Sequence, residues 1–139
     1  MAHAPYEILE HTADVGLRAF GQTLPELFAN AARGMLALAL EPSEVRPLES
    51  RPLPARGEDL EELLVHWLSE ILYAVDAEGW QFADFRIAKL EANEIEAEGR
   101  GERRERAGRG RVAVKAVTYH QVSVRETAEE WQAVVYFDI

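Results

Sequence analysis

Two aspartates occupy positions where a carboxylate could bind a cation. Aspartate is rare in this chain, which contains five Asp against twenty Glu. Asp14 directly precedes one strand pattern, and Asp138 ends another, between Phe137 and Ile139. The short carboxylate of aspartate is a good ligand for a hard cation. The two positions therefore indicate a cation site if the fold brings them together.

The last residue, Ile139, adds a second carboxylate beside Asp138. If this end of the chain met Asp14, three carboxylates would converge. Two such groups about 4 Å apart repel by roughly 4 kcal/mol at an effective dielectric of 20, so the cluster would need a cation or a proton. The alternative is structural: Asp14 would make an Asx-type turn and Asp138 would be a solvated terminal residue. The pattern leaves both interpretations open.

Three further polar residues lie in or at the ends of strand patterns. Lys115 is one of two lysines and lies in otherwise apolar sequence. It either meets a carboxylate such as Asp14 or Asp138, or it discourages pairing at a sheet edge. His11 and His120 stand at strand ends, where an imidazole could ligate a metal or transfer a proton. A structural role is the alternative for each histidine.

Hydrophobic periodicity predicts the elements that must position these residues. Alternating patterns predict strands over 6–10, 15–20, 82–90, 94–98, 112–119, 122–125 and 131–138, and an edge strand or extended segment over 45–53. Helical spacing predicts one helix over 24–40, after a capping box at Thr23 and Glu26, and a second of about 20 residues that Gly79 ends. These elements predict a single α+β domain over 1–139, with two amphipathic helices packed on one face of a mixed, largely antiparallel β-sheet.

Composition and missing motifs exclude several classes of protein. The chain has no cysteine, which removes disulfides, thiolate metal sites and a cysteine nucleophile. It has no apolar run long enough to span a membrane and no apolar signal segment at its start, so we expect a cytoplasmic protein. The net charge of −10 disfavours binding of nucleic acid over the whole surface. Glycine-rich phosphate loops, His-Glu-x-x-His and Gly-x-Ser-x-Gly motifs are absent.

One segment is basic within this acidic chain. Residues 99–111 contain six arginines, two glutamates and four glycines. Such a segment is either a solvated hairpin loop or a contact for RNA phosphates. The composition alone does not assign its role.

Three stretches, spread over nearly the whole chain, carry a resemblance to a known family. They are 9–16 (LEHTADVG), 59–73 (DLEELLVHWLSEILY), and 114–120 (VKAVTYH) together with the terminal residues 137–139 (FDI). In this order and spacing they resemble the archease family. The resemblance implies a compact fold of two helices on a sheet. Many members of that family carry an Asp and a His shortly before the third stretch, and residues 103–111 contain neither.

The resemblance also implies a function. It implies a cation site formed by the side chains of Asp14 and Asp138 and a main-chain or terminal oxygen of Ile139. Because the ligands are carboxylates, we expect Ca²⁺, Mg²⁺ or Mn²⁺ as the cation. The expected role is that of a non-enzymatic partner of a GTP-dependent RNA-splicing ligase, which meets tRNA only through the ligase. Such a factor promotes guanylylation of the ligase and its multiple turnover.

Other functions fit parts of the pattern. An older view of the family casts it as a chaperone-like modulator of enzymes that modify RNA or DNA, such as methyltransferases. A small metal-dependent phosphohydrolase would use Asp14, Asp138 and His120. An RNA-binding module would use residues 99–111. Hydrolysis by the protein alone, and RNA binding across salt concentrations, separate these classes.

Overall fold

Strands and helices follow one another in the order that the periodicity predicts, except that the strands predicted over 112–119 and 122–125 form one strand and a short strand over 55–56 was not predicted. The computed structural model describes residues 4–10, 14–41, 43–104 and 113–139. Its elements are β1 (Tyr6–Glu10), β2 (Asp14–Gly21), α1 (Leu24–Ala39), β3 (Glu49–Pro52), β4 (Ala55–Arg56), α2 (Leu60–Glu78), β5 (Trp80–Glu91), β6 (Glu94–Arg103), β7 (Ala116–Glu126) and β8 (Trp131–Asp138). The two predicted helices are confirmed almost to the residue.

The strands form two sheets of four strands each, and every pairing among the described residues is antiparallel. One sheet, called sheet A, has the strand order β1-β2-β8-β7. In the other, called sheet B, β6 pairs with β5 along one side and with β3 and β4 along the other. Sheet A places the second strand of the chain beside the last one. Residues that are far apart in sequence therefore become neighbours there.

Both helices begin at a side-chain cap. The Oγ1 atom of Thr23 accepts a hydrogen bond from the N–H of Glu26 at 3.2 Å, and Asp59 Oδ1 accepts one from the N–H of Glu62 at 2.8 Å. These caps satisfy N–H groups that have no partner inside the helix. Helix α2 is followed by Gly79, whose φ of 78° lies in the left-handed region. The predicted cap at Thr23 and the predicted end of α2 are confirmed, and the Glu26 carboxylate accepts from the N–H of Gln22, one residue before the cap, at 2.8 Å.

A hydrophobic core lies between the two sheets, because both helices contact strands of both sheets. The largest fully buried side chain among the described residues is Trp67 of α2. The indole N–H of Trp67 donates a hydrogen bond to the carbonyl oxygen of Phe28 in α1 at 3.0 Å. The Trp67 ring also meets the Phe85 ring of β5 edge-on, with centroids 5.9 Å apart. Burial of a side chain of this size stabilises the folded state by on the order of 2–3 kcal/mol. Through such contacts the helices hold the two sheets together.

The α+β class is confirmed, and the structure refines how the strands are distributed. The sequence predicts one sheet, whereas the chain forms two, because periodicity marks a strand without identifying its partner. Residues 99–103, predicted as part of a loop, extend β6 instead. Position 99 favours glycine, because a Cβ atom there would lie only 2.5 Å from the ring of Phe82.

Candidate functional site

Asp14 and Asp138 lie opposite each other at one end of sheet A. Strands β2 and β8 pair antiparallel, and their register aligns these two residues. Residues directly opposite on antiparallel strands point to the same face of the sheet, with Cβ atoms about 4.5–5.5 Å apart. The fold therefore brings together the two aspartates that the sequence singles out.

Strand β7 borders Asp138 on its other side. Its first residue, Ala116, is opposite Asp138 in the register of β7 and β8. The N–H of Lys115 donates a hydrogen bond to the carbonyl oxygen of Asp138 at 2.9 Å. Ile139 follows directly, with 37% of its surface exposed. The main chain of Asp138 is therefore held between two strands, independently of its side chain.

The inner face of the same strands anchors this end of the sheet in the core. Val15 is opposite Phe137, and both side chains are buried. Successive residues of a strand point to opposite faces, so burial of this pair directs Asp14 and Asp138 to the outer face. There Asp14 is half-buried and Asp138 is exposed. The buried side chains of Val15 and Phe137 thus position both carboxylates.

Lys115 lies one residue before β7, and its side chain is exposed. The sequence allowed an ion pair between Lys115 and a carboxylate of the site. Within the described part of the chain its ammonium group forms no ion pair. Lys115 contributes its main-chain N–H to the geometry of Asp138, and its ammonium group faces solvent.

Only one of the two predicted histidines lies among the described residues. His11 lies outside the described residues. His120 is exposed, and its ring meets the ring of Tyr136 edge-on with centroids 6.0 Å apart. Four residues separate it from Ala116, which is about 13 Å along a strand. His120 therefore lies on β7, the strand that borders Asp138, but it does not adjoin the aspartate pair.

The donors at this end of sheet A suit a hard cation that keeps open coordination positions. Asp14, Asp138 and the main chain of Ile139 offer oxygen ligands, which Ca²⁺, Mg²⁺ and Mn²⁺ prefer. Among the described residues there is no group of three or more Asp, Glu or His side chains that could hold a metal ion. Because these cations take six or more ligands, two carboxylates would leave positions for water or for groups of a partner.

The arginine-rich segment is partly an element of sheet B. Arg100 in β6 donates to both carboxylate oxygens of Asp84, at 3.0 and 2.9 Å. Arg104 donates to Gln81 Oε1 at 2.7 Å and to the carbonyl oxygen of Glu44 at 2.6 Å. The first part of the segment is therefore held by the protein itself, and residues 105–111 lie outside the described residues.

Sequence reasoning missed a hydrogen-bonded pair, His66 and Tyr119. The Nε2 atom of His66 in α2 lies 2.7 Å from the Tyr119 hydroxyl, and its Nδ1 atom lies 2.5 Å from the carbonyl oxygen of Arg56. Nothing in the periodicity of α2 or β7 indicates this contact, because the two residues are distant in sequence. The only hint is that both residues fall within stretches that carry the family resemblance.

Comparison with known proteins identifies the family. A sequence model of the archease protein family (MTH1598/TM1083) matches residues 6–139. The chain belongs to the archease family. The resemblance carried by the three sequence stretches is thereby confirmed.

Curated relatives match over almost their whole length. The protein archease of Saccharolobus solfataricus is 39% identical over 137 residues, covering 96% of this chain and 98% of the relative. The protein archease of Methanosarcina acetivorans is 38% identical over 139 residues, covering 96% and 95%. The family assignment therefore applies to the whole described fold.

Solved archease structures share this fold. The solution structure of protein 1598 from Methanobacterium thermoautotrophicum matches with a TM-score of 0.77 and 31% identity, over 97% of this chain and 99% of that chain. The crystal structure of an archease from Thermotoga maritima, described as a possible chaperone, matches with a TM-score of 0.61 and 20% identity, over 99% and 100%. The second match supports the fold alone.

The sequence predicts no membrane-spanning segment, and the helices can be compared with that prediction. Among the described residues, neither α1 nor α2 combines the length and the apolar character that a membrane-crossing helix requires.

Proposed function

We propose that this archease-family protein is a non-enzymatic accessory factor that activates a GTP-dependent RNA-splicing ligase. It would promote guanylylation of the ligase and its multiple turnover, chiefly in the joining of tRNA halves. The observation that supports this proposal is the alignment of Asp14 with Asp138 at the exposed end of sheet A. The family membership of the chain supports the class of partner.

Asp14, Asp138 and the main chain of Ile139 would hold a divalent cation, which is Ca²⁺, Mg²⁺ or Mn²⁺ in this proposal. When bound, the cation supplies positive charge beside nucleotide phosphates. The residues of the chain hold the two carboxylates in position. Main-chain pairing of β2, β8 and β7 fixes both aspartates, and exposure of Asp138 lets a partner reach them. Reacting groups of the ligase would thereby be held in order.

The ammonium group of Lys115 and the ring of His120 are the further candidates for contact with the partner. Both side chains are exposed. The distance of about 13 Å along β7 between His120 and the position opposite Asp138 favours partner contact over direct ligation. The same spacing disfavours a hydrolase, because a hydrolase needs a general base next to the attacking water.

The charge of the protein favours contact with tRNA through the ligase. A net charge of −10 repels the phosphate backbone. The arginines that could offset this charge locally include Arg100 and Arg104, whose guanidinium groups already bind acceptors within sheet B and the segment beside it. A cytoplasmic location remains an expectation.

The test is ligase turnover with substrate RNA in excess, so that each ligase molecule must be guanylylated repeatedly. We expect wild-type protein to raise the turnover rate, and Asp14→Asn and Asp138→Asn each to reduce that stimulation by at least about tenfold. Asp84→Asn, which changes a carboxylate of sheet B, is the matched control and should stimulate like wild type. Ligase that is already guanylylated should complete a single turnover without this protein. Full stimulation by both site variants would overturn the proposal.

A further inference from the structure

Two tyrosines outside the aspartate pair are exposed to an unusual degree for large side chains. Tyr73 of α2 is 58% exposed and Tyr119 of β7 is 56% exposed. His66 lies two helical turns before Tyr73 and therefore on the same side of α2. These three residues, His66, Tyr73 and Tyr119, are called the tyrosine surface. Large exposed aromatic side chains are enriched where proteins bind other proteins.

The ring of Tyr119 is held in place. Because the carbonyl oxygen of Arg56 can only accept a hydrogen bond, Nδ1 of His66 carries the proton in that contact at 2.5 Å. Nε2 of the same ring forms a hydrogen bond with the Tyr119 hydroxyl at 2.7 Å. The two rings also meet edge-on, with centroids 6.1 Å apart. An exposed ring that is already ordered loses little conformational entropy when a partner covers it.

The backbone next to Tyr119 is irregular and contains a strained residue. The pairing of β7 with β8 is interrupted between Thr118 and Ser123. Within the interruption Gln121 has a φ of 54°, the left-handed region that favours glycine. Irregular strand segments of this kind commonly redirect side chains at binding sites. Tyr119, which lies beside this interruption, contacts His66 of α2 and is largely exposed.

The surroundings of the tyrosine surface are acidic. An open recess of about 340 Å³ beside it is lined by Arg56, Gly57, Glu58, Glu62, Asn93 and Glu94. Arg56 and Lys89 both contact Glu94, each at 3.0 Å, so Glu58 and Glu62 supply the net negative charge of the recess. Glu62 lies one helical turn before His66, so the recess adjoins the tyrosine surface. Aromatic faces beside carboxylates fit the guanidinium or ammonium group of a basic side chain.

We infer that the tyrosine surface and the adjoining acidic recess dock a basic surface of a protein partner. This inference rests on the proposed function, under which the partner is the RNA-splicing ligase. An enzyme that binds RNA must present arginine and lysine side chains. The acidic recess selects those groups and repels RNA itself.

The position of the tyrosine surface is compatible with simultaneous use of the aspartate pair. Tyr119 is four residues from Lys115, whose N–H binds the carbonyl oxygen of Asp138, and four residues of strand span about 13 Å. A protein interface of ordinary size covers about 800 Å² on each partner, which is wide enough to include both sites. The tyrosine surface would supply affinity while the aspartates face the reacting groups.

The test measures the Kd of the purified ligase encoded in the same genome for wild-type protein and for three variants. Tyr73→Ala combined with Tyr119→Ala should weaken binding by at least about tenfold. Tyr119→Phe keeps the ring and removes its hydrogen bond to His66, so a smaller loss is expected. Leu48→Ala is the matched control, because Leu48 is 61% exposed and lies outside the surface; its Kd should stay within about twofold of wild type. Melting temperatures verify that each variant is folded.

The outcomes separate this inference from the proposed function. If wild-type protein binds and stimulates the ligase and the double tyrosine variant binds equally well, the docking surface is wrong and the proposed function stands. If wild-type protein neither binds nor stimulates the ligase, both are wrong. If the double variant keeps its affinity for the ligase and loses affinity for tRNA, the surface binds RNA and the inference is overturned.

Discussion

The two sheets balance their carboxylates in different ways. In sheet B, Asp84 is opposite Arg100, which binds both of its carboxylate oxygens. Sheet B also contains a pair of like charges, Glu91 opposite Glu94, and there Lys89 lies 3.6 and 3.0 Å from the two carboxylates. Asp84, Glu91 and Glu94 are therefore each met by a cation of the same chain.

The end of sheet A has a different arrangement. Asp14 and Asp138 are opposite each other as Glu91 and Glu94 are, but the carboxylate of Asp138 forms no ion pair within the described part of the chain. Like charges directly opposite on neighbouring strands are destabilising. The paired charges in sheet B therefore stabilise the fold, whereas under the proposed function the carboxylate of Asp138 would bind a cation supplied from outside the chain.

The largest effect on stability should follow the loss of Arg51 in β3, which ties sheet B to α2. Its guanidinium group, 15% exposed, contacts Glu70 at 2.5 Å and Glu78 at 3.0 Å. Arg51→Met leaves two adjacent carboxylates without their cation, so we expect the melting temperature to fall by about 5–10 °C. Arg56→Met is the control, because the Arg56 side chain is 83% exposed; a change of about 1 °C or less is expected. Equal losses in the two variants would contradict the distinction.

The same network predicts a dependence on pH. The hydrogen bond from Arg51 lowers the pKa of Glu78 below its ordinary value of 4.5. A carboxyl group with a lowered pKa in the folded state adds stability above its unfolded pKa and loses it as the pH falls through the folded value. The difference in melting temperature between wild type and Arg51→Met should therefore be full near neutral pH and shrink below about pH 4.5. Thermal scans across pH measure it.

A smaller effect sharpens the comparison between the sheets directly. Asp84→Asn removes the charge that binds Arg100, so the melting temperature should fall by about 2–4 °C. Asp138→Asn removes a charge beside Asp14 and should leave the melting temperature within about 1 °C of wild type or raise it. A loss for Asp138→Asn as large as that for Asp84→Asn would mean that Asp138 serves folding after all.

Local features of the fold were predictable because short-range chemistry determines them. The cap formed by Thr23, the stop at Gly79 and the apolar stripe of α2 each depend on residues within a few positions of one another. The division into two sheets was not predictable, because β2 could pair with any strand that has one apolar face. Pairing of β2 with β8, which are far apart in sequence, depends on packing of the whole core, which includes Trp67.

The candidate site was predictable in its residues and not in its surroundings. The positions of Asp14 and Asp138 at the ends of strand patterns indicated both residues. Burial of Val15 and Phe137 explains why both aspartates lie on the outer face. Contacts that span distant elements left no periodic pattern. The contact of His66 with Tyr119 is of that kind.

Titration of Mn²⁺ into isotope-labelled protein, observed by NMR, tests most directly whether the aspartate pair is the cation site. A bound Mn²⁺ ion broadens the signals of nearby amide groups, so weak binding is also visible. We expect the amides of Asp14, Lys115 and Asp138 to broaden at lower Mn²⁺ concentrations than those of Glu91 and Glu94, and Asp138→Asn to shift this broadening to about tenfold higher concentrations. Broadening that begins in sheet B or at the start of α2, or that is the same in Asp138→Asn, would contradict the account.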